Sequence, residues 1–186
     1  MQNMADAQHS NGAMPTTAPE YVVFEGPGMD AFAESPEWGG SLVIFPFMYY
    51  ETYGDDSLIR KYYSNMRRYV DYLKTRANNG ILSFGLGDWY DYGDFRAGFS
   101  RNTPVPLVAT AHYYMTVMYL VKAAGMVGNE FDVRYYSSLA HDIMVAFNKC
   151  FLDNNTAQYG TGSQCSNALP LFLHLTQSAG EQGVCQ

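Results

Sequence analysis

Basic residues are scarce in this chain. Its 186 residues carry 11 Lys and Arg against 18 Asp and Glu, a formal net charge of −7. With no basic patch to neutralise phosphates, a nucleic-acid partner is excluded. The few cations gather around Arg60–Arg68 on one face of a helical stretch, where solvent is the expected neighbour. Only three cysteines occur, Cys150, Cys165 and Cys185, without the CxxC or Cys/His spacing of a zinc site. The odd count leaves at least one thiol unpaired, and buried or incidental thiols are the simpler reading. No apolar run reaches the ~18 residues that a membrane span needs. The opening MQNMADAQHS has no apolar h-region, so it is not a signal peptide. His9, His112, His141 and His174 are scattered, with no nucleophile elbow or Ser/His/Asp order around them. Asp88–Asp94, DWYDYGD, lacks the spacing of a calcium loop, and the GTG at 160–162 follows no strand of the dinucleotide type. No metal and no cofactor are expected.

What is present is apolar and aromatic. Hydrophobic residues make up 47% and charged residues 16%, the balance of one globular domain with a substantial core. After a helix tail at residues 1–9, a loop over 10–36 carries Pro15, Pro19, Pro27 and Pro36. Trp38–Tyr53 is apolar nearly all round and reads as a buried helix containing Pro46, ended by Gly54. Asp55–Ala77 opens on capping residues and places Leu58, Tyr62, Met66, Val70 and Leu73 on one face of an amphipathic helix, ended at Asn78-Asn79-Gly80. The pattern then recurs. Thr103–Met126 is apolar all round and stops before Gly128, Asn129–Asp153 is amphipathic, and a third round starts at Ser163–Leu175. The unit repeats at about 65–75 residues. Tyr49-Tyr50 recurs as Tyr113-Tyr114, and Tyr62-Tyr63-Ser64 as Tyr135-Tyr136-Ser137.

Buried helices alternating with amphipathic ones imply an inner and an outer layer, in a solenoid or in a closed ring of helical hairpins. Every second connection is long and rich in Gly, Trp, Tyr and Asp, which favours the ring: an all-α (α/α)6 toroid with its long loops at one end, of which this chain holds about five helices.

Two of those loops carry the chain's 2 tryptophans. SPEWGG, residues 35–40, sets Glu37 beside Trp38, and GLGDWYDYG, residues 85–93, sets Asp88 beside Trp89. A pyranose stacks its C–H face on an indole and offers its hydroxyls to a carboxylate, so Trp38, Trp89, Asp88 and Glu37 are the candidate substrate-binding residues. The plainer alternatives are loop anchors for the tryptophans and helix caps for the carboxylates. Asp91 and Asp94 read as more exposed. In YGTGSQCSNALPL, residues 159–171, Ser163 or Ser166 is the expected cap of the last helix, which leaves Gln164 near the cleft.

QNMADAQHSNGAMPTTAPEY, SPEWGGSLVIFPFMYYETYGD, GLGDWYDYG, TPVPLVATAHYY and YGTGSQCSNALPL, in this order, resemble consecutive blocks of the six-hairpin catalytic domain of bacterial α-L-rhamnosidases, glycoside hydrolase family 78. The resemblance implies an (α/α)6 barrel that removes terminal L-rhamnose with inversion, and a tryptophan-lined pocket in which Trp38 and Trp89 match. It also implies a general acid from a block before this region and a general base from a Trp-Glu motif after it. Neither motif occurs here, so no catalytic residue is assigned.

Residues 1–176 are therefore expected to be a fragment of the catalytic domain. Residues 177–186 form an atypical tail, a truncation or out-of-frame end. The expected partners are a carbohydrate bearing L-rhamnosyl groups and the remaining hairpins of the parent domain, with no nucleic acid and no membrane. The compartment is unassigned, with a periplasmic or extracellular location preferred to a cytoplasmic one. Alternatives are another (α/α)6 enzyme, a glucuronyl hydrolase or trehalase-like hydrolase, and a non-catalytic sugar-binding helical protein. A uronate would call for a cleft cation, for which only Arg96 and Arg101 are placed.

Overall fold

The computed structural model describes residues 1–27 and 29–176; the tail from 177, with Cys185, lies outside the described residues. Three short helices, α1 (Gln2–Ala7), α2 (Asp30–Ala33) and α3 (Pro36–Gly39), precede the long ones. These are α4 (Ser41–Tyr53), α5 (Ser57–Arg76), α6 (Val105–Val127), α7 (Glu130–Phe151) and α8 (Gln164–Phe172). Two antiparallel hairpins sit in the connections: β1 (Asp91–Gly93) with β2 (Phe95–Gly98), and β3 (Leu152–Asp153) with β4 (Gln158–Tyr159).

Local chemistry sets the helix ends. Asn129 caps α7 by accepting the Asp132 amide at 3.1 Å, and Ser163 caps α8 by accepting that of Ser166 at 3.1 Å. Gly54 and Gly128 end α4 and α6 in the left-handed conformation. Lys74 and Arg76 in the last turn of α5 complement its negative end. The expected single helix over Trp38–Tyr53 is in fact two, α3 and α4. The adjacent Gly39 and Gly40 have little helix preference, and the Ser41 hydroxyl takes the Trp38 carbonyl as its acceptor.

α6 is the hub. It packs against α3, α4, α5, α7 and α8, and so its apolar residues are needed on every side. Leu107, Ala111, Tyr113, Val117, Leu120 and Ala123 are all fully buried. α4, α6 and α8 form the inner layer, and α5 and α7 the outer. Each outer helix buries one stripe, which on α5 includes Ile59, Tyr62, Met66, Val70 and Leu73. The repeated Tyr-Tyr-Ser motif has a reciprocal function. Tyr63 of α5 donates its hydroxyl to Asp132 Oδ2 of α7 at 2.7 Å, and its counterpart Tyr136 of α7 donates to Asp71 Oδ1 of α5 at 2.7 Å. Those carboxylates raise both phenol pKa values further after burial, which is the larger cause.

The long connections meet at one end. Leu86 donates its amide to Ser35 Oγ at 3.3 Å, Thr103 Oγ1 pairs with Ser163 Oγ at 2.7 Å, and Thr161 Oγ1 donates to the Asn102 carbonyl. Three stretches far apart in the chain, 35–40, 84–103 and 159–166, are thereby stitched into one surface. Elsewhere the inner layer is partly bare: on α4, Phe45 is 44% and Met48 58% exposed.

Candidate functional site

The two tryptophans reach this surface from different elements. Trp38 lies in α3, whose first turn is set by Pro36 after an extended Ser35. Trp89 lies in the turn before β1. Each is 39% exposed, one side packed and one side open to solvent. They are joined through Phe32 of α2. Its ring centroid is 6.5 Å from that of Trp38 and 5.1 Å from that of Trp89, the latter edge-on at 79°. Phe99 closes the cluster, 5.8 Å from Phe32 and 5.4 Å from Trp89, and Phe24 stacks on Phe32 at 5.5 Å. Sequence reasoning missed the three phenylalanines. Phe24 closes the short apolar run at 21–24, Phe32 sits in the four-residue α2 and Phe99 follows β2; no periodicity marks them, and only the fold brings residues 24, 32 and 99 together.

The carboxylates differ in how fully they are engaged. Glu37 is a clamp between the two loops: Oε1 accepts the Gly87 amide at 3.0 Å and Oε2 accepts the Ser35 hydroxyl. Gly85 makes room for it. Its φ is +127°, and a Cβ there would lie 2.6 Å from Glu37 Oε2 and 2.9 Å from Pro36 Cδ. Asp91, expected at the surface, is 8% exposed. Its Oδ2 accepts the amides of Arg101 at 2.7 Å and Asn102 at 2.6 Å, and its Oδ1 accepts Asn102 Nδ2 and the Tyr92 amide. Those donors, the Arg101 amide first, hold its carboxyl below the usual aspartate range. Asp91 thus pins the β1–β2 hairpin to the start of α6. A polar neighbourhood in sequence concealed that its partners arrive from ten residues away.

Asp88 takes its donors from side chains, the Thr103 hydroxyl and the Cys165 thiol. Thr103 Oγ1 donates to its Oδ2 at 3.2 Å, and Thr103 is itself paired with Ser163, the cap of α8. The Cys165 thiol lies beside it and is pushed up to about 11, first by burial and then by the Asp88 charge. Burial and the neighbouring carboxylate both favour the protonated thiol. Gln164 opens α8 next to Ser163 at the same end. Among the described residues no group of His, Cys, Asp and Glu is arranged to hold a metal, and no helix is long and apolar enough to cross a membrane.

Alternating buried and amphipathic hairpins, with long connections gathered at one end, define the chain as a section of an (α/α) hairpin toroid. The model of the bacterial α-L-rhamnosidase six-hairpin glycosidase domain matches residues 1–185. The chain belongs to that family. An α-L-rhamnosidase of Formosa agariphila is 23% identical over 187 residues, covering 100% of this chain and 19% of the relative. One from Streptomyces avermitilis is 26% identical over 179 residues, 95% of this chain and 16% of the relative. Among solved structures, the α-L-rhamnosidase of Dictyoglumus thermophilum superposes with a TM-score of 0.87 at 30% identity, over 99% of this chain and 20% of its own. The Streptomyces avermitilis enzyme complexed with L-rhamnose shares the fold, with a TM-score of 0.82 at 21% identity, over 99% of this chain and 17% of its own. The chain thus spans about a fifth of the length of these relatives.

Proposed function

We propose that the chain is the pocket-bearing section of an inverting glycoside hydrolase that removes terminal α-L-rhamnose from glycosides or polysaccharides. Trp38 and Trp89 supply stacking faces, Asp88 a hydroxyl acceptor, and Glu37 the clamp that sets the distance between the two loops. The observation that carries this reading is the pair of half-exposed tryptophans joined through Phe32, beside a carboxylate that keeps capacity for a ligand, in a chain of this family.

Inversion needs a carboxylic acid and a carboxylate base roughly 6.5–9.5 Å apart with water between them. Two of the loop carboxylates are poor candidates for either part. Glu37 and Asp91 are both engaged by donors of the chain itself, and Asp91 is held ionised. On the family resemblance, acid and base are assigned to segments outside residues 1–186, and the bare face of α4 to the remaining hairpins of the parent domain. Arg101, a candidate uronate partner, instead lies with its guanidinium 4.8 Å over the Phe95 ring. That placement occupies Arg101 with an aromatic neighbour; the side chain of Arg96, the other candidate, lies outside the described residues.

The test is hydrolysis of an aryl α-L-rhamnoside by the pure chain. No release of the phenol is expected, since this section holds the pocket wall without the acid and base. Turnover by the pure chain would sink the assignment of those groups to other segments.

A further inference from the structure

Tyr90 adopts a backbone conformation that a tyrosine ordinarily avoids. Its φ is +70°, in the left-handed region where Gly, Asn and Asp are at ease and a bulky side chain is strained. Among the described residues the other non-glycine residues there are Asn79, Ala157 and His174, and Tyr90 carries the largest side chain of these. The surroundings enforce the conformation. The Trp89 amide is bonded to the Gly87 carbonyl at 2.9 Å, the Tyr90 amide to the Gly98 carbonyl at 2.8 Å, and Asp91 is anchored by four donors directly after it.

The same loop uses glycine at 85, 87, 93 and 98, so a strain-free residue at 90 is in keeping with its composition. The tyrosine also gives the fold little in return. It is 68% exposed, and among the described residues the ring close to it is that of Trp89, 6.4 Å away and tilted by 68°. No hydrogen bond from its hydroxyl occurs among the described residues. Strain held in place without a packing return is the pattern of a residue kept for a ligand.

We infer that Tyr90 is a sugar-contacting residue, forming with Trp89 a two-sided aromatic corner that receives a neutral deoxy-pyranose. The two rings stand close to perpendicular. A pyranose laid flat on the indole presents its edge to the phenol, whose ring faces the apolar C–H groups and whose hydroxyl reaches the ring substituents. This inference rests on the proposed function of the same loop end.

The experiment is a ligand-detected NMR titration of the chain with L-rhamnose, with thermal unfolding in parallel, for wild type, Trp89→Ala, Tyr90→Gly and Tyr90→Phe. Tyr90→Gly relieves the strain and removes the ring. It should raise Tm by about 2–4 °C and weaken rhamnose binding by roughly three- to tenfold. Tyr90→Phe keeps the ring and should bind within about threefold of wild type. If Trp89→Ala loses binding while Tyr90→Gly binds like wild type, Tyr90 is no contact and the site reading stands. If Tyr90→Gly lowers Tm, the ring is structural and the strain argument fails. If wild type does not bind L-rhamnose, both the inference and the site reading fall.

Discussion

Gly85→Ala tests how the two tryptophan loops are held together. Alanine at φ +127° is strained by about 1–3 kcal/mol before any contact is considered. Its Cβ would also lie 2.6 Å from Glu37 Oε2 and 2.9 Å from Pro36 Cδ. Pro36 is buried and cannot yield, so the Glu37 carboxylate must move. That breaks its bonds with the Gly87 amide and the Ser35 hydroxyl. Glu37 is half-buried, so each lost bond is worth the lower end of the usual range, about 1 kcal/mol. The sum is about 3–5 kcal/mol, a large part of the ~5–15 kcal/mol that holds a domain together. Gly26→Ala is the control: its φ is +101° and a Cβ there meets nothing within 4 Å, so it suffers the strain alone. Urea unfolding of the two variants, followed by tryptophan fluorescence, separates the terms. Gly85→Ala should be less stable than Gly26→Ala by about 2 kcal/mol, with a red-shifted native emission as the tryptophan loops part. Equal losses in the two variants would refute the Glu37 clamp.

Asp91 is held below the usual carboxylate range of about 4, so its stabilisation is present above that pH and is lost as pH falls through its lowered folded value. Acid titration of Asp91→Asn should show a shallower loss of stability than wild type over that window. In the reciprocal Tyr–Asp pairs, Tyr63→Phe leaves Asp132 short of a donor at 2% exposure, whereas Tyr136→Phe leaves Asp71 46% exposed to water. By urea denaturation the first should cost about 2 kcal/mol and the second about 1 kcal/mol. Cys150 is exposed and Cys165 is not. With its thiol near 11, Cys165 should react with iodoacetamide at pH 8 at least about tenfold more slowly than Cys150 in peptide mapping by mass spectrometry.

The long helices were legible because their signals are local. α5 and α7 show a single apolar stripe between capping residues and breakers, and α6 is apolar all round because it is surrounded by neighbours. The clustering of long loops at one end followed from which connections were long. What the sequence left dark was set by contacts across the fold. Phe32 links Trp38 to Trp89, yet nothing in DAFA marks it. Asp91 lay in a stretch that looked solvated, while its donors come from Arg101 and Asn102. The short β hairpins lack the alternation that announces a strand, and the break at Gly40 falls at a glycine pair inside an otherwise continuous apolar helical pattern.

The central claim is that Trp38 and Trp89 are two faces of one sugar pocket. The chain's only 2 tryptophans give two indole N–H signals in a 15N-correlated NMR spectrum. Titration with L-rhamnose is expected to shift both signals with one common affinity, while an equal concentration of D-glucose leaves them in place. Indole signals that ignore L-rhamnose, or that move equally with D-glucose, would contradict the account.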